Sequence, residues 1–152
     1  MMILMFLLSG EPSFDTRVVE KLSQMLGVAR PQRILVERVE QKELIGEVRR
    51  SIMVSCMQGQ IVRFQYCSEA SKANNLFVYG LWIKEKDKNF LHIKLHKHAG
   101  LDSLIHEFCH WYLHYQGETE GLLNNHEILL PLASTLLVSE DFVSWLEKEE
   151  GK

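Results

Sequence analysis

Apolar and polar positions change period several times along this chain. Val18, Val19, Leu22, Met25 and Leu26 recur at helical spacing, with Ser13 or Asp15 placed to cap the helix and Gly27 to stop it. After Pro31, Ile34, Val36 and Val39 suggest a short strand, although Glu40 to Arg49 reads equally well as helix. Ile52 to Met57 and Gln60 to Tyr66 flank Gln58-Gly59, which predicts two strands around a tight turn. Leu76 to Lys84 and Phe90 to Lys97 predict a second strand pair, joined by the charged turn Glu85 to Asn89. In the last strand Leu91, Ile93 and Leu95 share one face, and Phe90, His92, Lys94 and His96 the other. One buried and one wet face is the pattern of an antiparallel sheet. From Leu101 the period becomes helical, with Asp102 as the N-cap candidate and Gly117 as the stop. Asn125 to Val138 predicts a second helix, and a third begins at Ser139.

A helix, a small and mainly antiparallel sheet, then helices amount to an α+β fold. No internal repeat or Pro/Gly/Ser-rich linker interrupts the chain, so residues 1–152 read as a single domain. Its 152 residues suffice to bury a core, and 46% apolar and 24% charged positions are ordinary for a globular protein. A formal charge of −3 argues against a general nucleic-acid binder. Cys56, Cys67 and Cys109 make an odd set without CxxC spacing, so a disulfide framework is not expected and a reducing, cytoplasmic setting is. Met1 to Leu8 is an unbroken apolar run, less than half of the ~20 residues a membrane span needs. It has no basic start and no small-residue cleavage site, so a buried strand or apolar arm is expected there, with a weak export signal as the alternative, and no membrane association.

The chemistry lies in His106-Glu107-Phe108-Cys109-His110, a HExxH pattern inside a predicted helix. Residues i and i+4 share a helix face, so both imidazoles can reach one ion, and neutral imidazole suits Zn²⁺. Glu107 is rotated by about 100° from His106, which sets it beside the ion, where it serves as general base. Short patterns of this kind also arise by chance on amphipathic helices. Here the flanks Leu104, Ile105, Phe108, Trp111, Tyr112 and Leu113 leave the helix little polar surface, and buried histidines need partners.

A catalytic zinc takes three protein ligands and a water. His114 lies a further turn along, about 6 Å from His110 by helical rise, too far for one straight helix to serve the same ion three times. The metzincin extension is missing: Leu113 and Gln116 stand where its glycine and third histidine belong. On the next helix, His126 is three residues before Leu129 and seven before Ala133, close to the inward face. Glu127 projects away from that face unless Pro131 shifts the phase, and is the alternative third ligand. Glu118 and Glu120 stay open as loop candidates. Tyr112, His114 and Tyr115 are candidates to stabilise an oxyanion. Cys109, Trp82, Trp111 and Trp145 read as packing residues, and His92, His96 and His98 as a solvated strand face.

The segments FLHIKLHKHAGLDSLIHEFCHWYLH (90–114) and HEILLPLASTLLVSEDF (126–142) resemble the ImmA/IrrE group of zincin metallopeptidases. The resemblance covers about residues 76–142. It implies a minimal zincin-like domain, with the sheet packed on the HExxH helix and C-terminal helices. His106 and His110 would be zinc ligands and Glu107 the base. The group's third-ligand Glu falls on His126, with Glu127 adjacent. Its substrates are commonly helix-turn-helix repressors, which here would be a separate chain. The SprT-like proteases share a HExCH helix and a histidine third ligand, but their His-Gly pair is missing. The resulting expectation is a zinc-dependent peptidase acting on a protein or peptide. The alternative is a non-catalytic metal-binding regulatory module that grips such a partner.

Overall fold

The computed structural model describes residues 12–57, 78–117 and 124–151, with backbone alone at 51–57 and 124–126. The apolar run Met1 to Leu8, the expected strand Gln60 to Tyr66, Leu76, Phe77, Cys67, Glu118 and Glu120 lie outside the described residues.

Helix α1 (Phe14–Met25) starts where Ser13 accepts a hydrogen bond from the Thr16 N–H at 3.2 Å. It ends at Gly27, whose φ of +69° is the left-handed closure that glycine adopts without strain. Val18, Val19 and Leu22 are fully buried, as their spacing requires. Strand β1 (Arg33–Val39) leads directly into α2 (Gln41–Met57). Ile52 to Met57 is therefore helix, not the expected strand. The reason is local: no Gly or Pro stands between Gln41's turn and Met57 except Gly46, and extending an existing helix costs far less than nucleating a new element.

Strands β2 (Gly80–Ile83) and β3 (Phe90–His96) form the expected antiparallel pair, with Trp82 opposite Ile93. The sheet is not mainly antiparallel, however. Its order is β1-β3-β2, and β1 runs parallel to β3 from Arg33↔Phe90 to Val39↔His96. The architecture is α+β with a mixed three-stranded sheet and five helices among the described residues. A parallel pairing needs a long crossover, and α2 lies within that connection.

β3 is central, and Leu91, Ile93 and Leu95 on one face are fully buried against α3 (Leu101–Tyr115). The opposite face is half-buried and charged. Lys94 bonds Glu43 and Glu47 of α2 at 3.0 and 3.2 Å. His92 is held between Glu85 at Nδ1 (3.0 Å) and Glu37 at Nε2 (2.9 Å), so it is a paired residue and not simply a solvated one.

α3 begins after Gly100, which occupies the N-cap position; Asp102 falls in the first turn instead of capping it. Gly117, with φ of +82°, follows its end. Leu104, Ile105, Phe108, Cys109 and Trp111 are buried in the core cluster of the described residues. α4 (Asn124–Val138) packs on α3 through Leu129 and Leu136 and runs on through Pro131. α5 (Glu140–Glu150), capped by Ser139, closes against α1, with Phe142 buried and Trp145 stacked 6.3 Å from Phe14. No single helix among the described residues is long and apolar enough to cross a membrane.

Candidate metal centre

The helical period of α3 sorts its residues onto distinct faces. Phe108, Cys109 and Trp111 turn into the core, while His106 and His110 stay half-buried on another face, one turn apart. Their ring centroids are 5.0 Å apart and the rings are inclined at 72°. Two imidazoles sharing a tetrahedral Zn²⁺ at Zn–N of about 2.0–2.1 Å have centroids about 5 Å apart, so the pair fits one ion.

Glu107 is only 8% exposed. Its Oε1 accepts the backbone N–H of Trp82 at 2.9 Å, and its Oε2 lies 4.0 Å from His106 Nε2. Burial pushes its carboxyl up to about 7, opposed by that single N–H bond. The N–H is available because Trp82 belongs to β2, whose side away from β3 has no strand partner among the described residues. One residue earlier in the same parity stands Gly80. A Cβ there would lie 2.7 Å from Leu95 Cδ2 and 3.2 Å from Glu107 Cγ. The missing side chain is what lets the strand approach the carboxylate so closely.

Trp82 does more than the packing assigned to it. Its indole stacks on His110 at 6.2 Å with an interplanar angle of 8° and lies 5.2 Å from His114. Cys109 is a fully buried packing residue, as its helix face suggested, and burial pushes its thiol up to about 12.

An open cleft of about 450 Å³ lies against His106 and Glu107, and His110 is not part of its lining. α3 contributes Asp102, Ser103, Ile105, His106 and Glu107 to its lining. Val78, Tyr79 and Gly80 line it from the β2 side, and Leu130, Ala133, Ser134 and Leu137 from α4. Tyr112, His114 and Tyr115, the oxyanion candidates, are not in that lining; Tyr115 stacks on Trp111 at 5.1 Å instead. The tyrosine at the cleft is Tyr79, on the β2 side and outside the HExxH helix.

His126 lies in the first turn of α4, and its side chain is outside the described residues. Glu127, the alternative, is exposed. Among the described residues no three His, Cys, Asp or Glu side chains gather as a metal-ligand group. The structure thus brings His106, Glu107 and His110 together. Gly80 had a sequence signal, since a glycine inside the apolar run LFVYGLWIK marks a close approach. The Trp82 N–H bond had none. Compared with family models, curated proteins and solved structures, the chain matches none of them.

Proposed function

We propose that this protein is a zinc-dependent peptidase of the ImmA/IrrE-like type. The observation that carries the reading is the paired imidazoles of His106 and His110, 5.0 Å apart, beside the buried Glu107 carboxyl, with His106 and Glu107 lining an open cleft. The passage from β3 into the HExxH helix, followed by α4, supports it as well.

His106 and His110 would hold the ion, with a third ligand from the start of α4, His126 or Glu127. Bound there, Zn²⁺ would supply Lewis acidity, enough to make a water acidic near neutral pH and to polarise the carbonyl to be cut. Glu107 takes the proton from the attacking water and can pass it to the leaving amine. The Trp82 N–H fixes one carboxylate oxygen, so the other, Oε2, remains on the His106 side. The substrate would not pair with β3, since that strand is hydrogen-bonded on both sides; the strand beside the cleft is β2. In this reading the substrate is a protein, with a separate helix-turn-helix repressor as the candidate, and the setting is cytoplasmic.

Glu107→Gln is the test. The variant should retain zinc at the wild-type stoichiometry and lose hydrolysis of an unfolded protein substrate such as casein by at least about 10²-fold. Full turnover in the variant, or a wild-type protein that binds no zinc after metal-replete purification, would rule the reading out.

A further inference from the structure

We infer that the cleft selects a substrate segment carrying an apolar side chain, seated against one stripe of α4; the inference rests on the peptidase reading above. α4 is apolar on two faces. Leu129 and Leu136 turn into the core, whereas Leu130, Ala133, Ser134 and Leu137, spaced i, i+3, i+4 and i+7, form a second stripe that lines the cleft. A helix that is apolar on both faces is ordinarily covered on both. Here Leu130 remains 53% exposed. On the β2 side of the same cleft Tyr79 is 57% exposed. Two large apolar side chains left open at one cleft, next to His106 and Glu107, mark a place where an apolar group is bound.

The charges narrow the choice further. Among the described residues the lining holds the carboxylates of Asp102 and Glu107 and no Lys or Arg. On the α4 side of the cleft an acidic side chain would meet no basic partner among the described residues, while an aliphatic or aromatic one would cover Leu130, Leu137 and the Tyr79 ring. Ala133 stands in the middle of the stripe, so its small size sets the depth available.

A peptide library cut by the zinc-loaded wild type and by two variants tests this. The wild type should enrich Leu, Ile, Met or Phe at one position beside the cut and exclude Asp and Glu there. Ala133→Phe fills the stripe and should move the preference to Ala, Ser or Gly by about tenfold or more. Because Ala133 also touches the core, Leu130→Asp, at an exposed position, is the second variant. It should weaken the apolar preference by a similar factor and raise the acceptance of Lys. As a readout apart from turnover, the Glu107→Gln protein should bind the best peptide about tenfold tighter than the same peptide with Ala at that position. A wild type that cuts without apolar preference, or a preference left unchanged by Leu130→Asp, overturns the inference and leaves the peptidase reading standing. A zinc-loaded wild type that cuts no peptide overturns both.

Discussion

Glu107 is stored in the fold at a cost. Its carboxyl rises from the ordinary 4.5 to about 7 because it is buried with one N–H partner. The folded chain therefore keeps a proton that the unfolded chain gives up between pH 4.5 and about 7. Stability falls as pH rises through that window and is flat above it. In the metal-free protein the loss amounts to about 3 kcal/mol at pH 8. Glu107→Gln keeps the acceptor for Trp82 and removes the charge. The metal-free variant should be more stable than wild type at pH 8 by up to that amount, with the gap mostly gone near pH 4.5. Urea unfolding at the two pH values measures it, and an equal gap at both would contradict the burial argument. Gly80→Ala tests the neighbouring contact. The new Cβ would sit 2.7 Å from Leu95 Cδ2 in the core and 3.2 Å from Glu107 Cγ. A destabilisation of about 1–3 kcal/mol and a drop in kcat/KM beyond that of a matched core variant are expected, read by the same unfolding and by hydrolysis.

At the scale of elements, local signals were legible and pairings were not. The Ser13 cap, the Gly27 and Gly117 stops and the alternation of β3 each depend on residues a few positions apart, and each stands in the fold. The HExxH spacing is equally local, which is why the juxtaposition of His106, Glu107 and His110 on one helix was legible in the sequence. The parallel β1–β3 pairing joins residues 57 apart, such as Arg33 and Phe90, and no short-range pattern records it. For the same reason the sequence could not tell that β3 is central and β2 the strand at the cleft. Long-range ties of this kind also hold α3 in place. Arg38 on β1 grips Asp15 of α1 at Nε (3.0 Å) and Nη2 (2.8 Å), and its Nη1 donates to the Ala99 carbonyl at 2.7 Å, just before α3 begins. Lysine keeps the charge but not the fork. Arg38→Lys should cost about 1 kcal/mol, discounted for partial exposure, and weaken zinc binding because it loosens the start of the HExxH helix. Calorimetric titration with zinc reads the second effect, and unchanged affinity would mean α3 is held by its core contacts alone.

For the molecule as a whole, the zinc reading proposed above asks α4 to supply the third ligand. α4 is placed by the packing of Leu129 and Leu136 on α3, so its register relative to His106 is fixed by the core. Position 126 stands one turn before Leu130, two before Ala133 and three before Leu137, at the end of the stripe that faces the cleft. Position 127 is also in phase with Leu130 and Ser134 of that stripe, but it leads as well to Pro131 and to Val138, which is 73% exposed. A ligand at 126 would tie α4 to α3 through the ion, and zinc would then stabilise the whole fold. At a zinc concentration 100-fold above Kd the gain is about 2.7 kcal/mol, or roughly 5–10 °C in Tm for a domain of this size. EDTA should reverse the rise. His126→Ala should weaken zinc binding by at least about 10²-fold and abolish most of the Tm rise, whereas Glu127→Ala should leave both near wild type. Thermal melts with zinc and with EDTA decide between them: loss in the Glu127 variant alone would transfer the third ligand to that carboxylate, and no loss in either would place it outside α4.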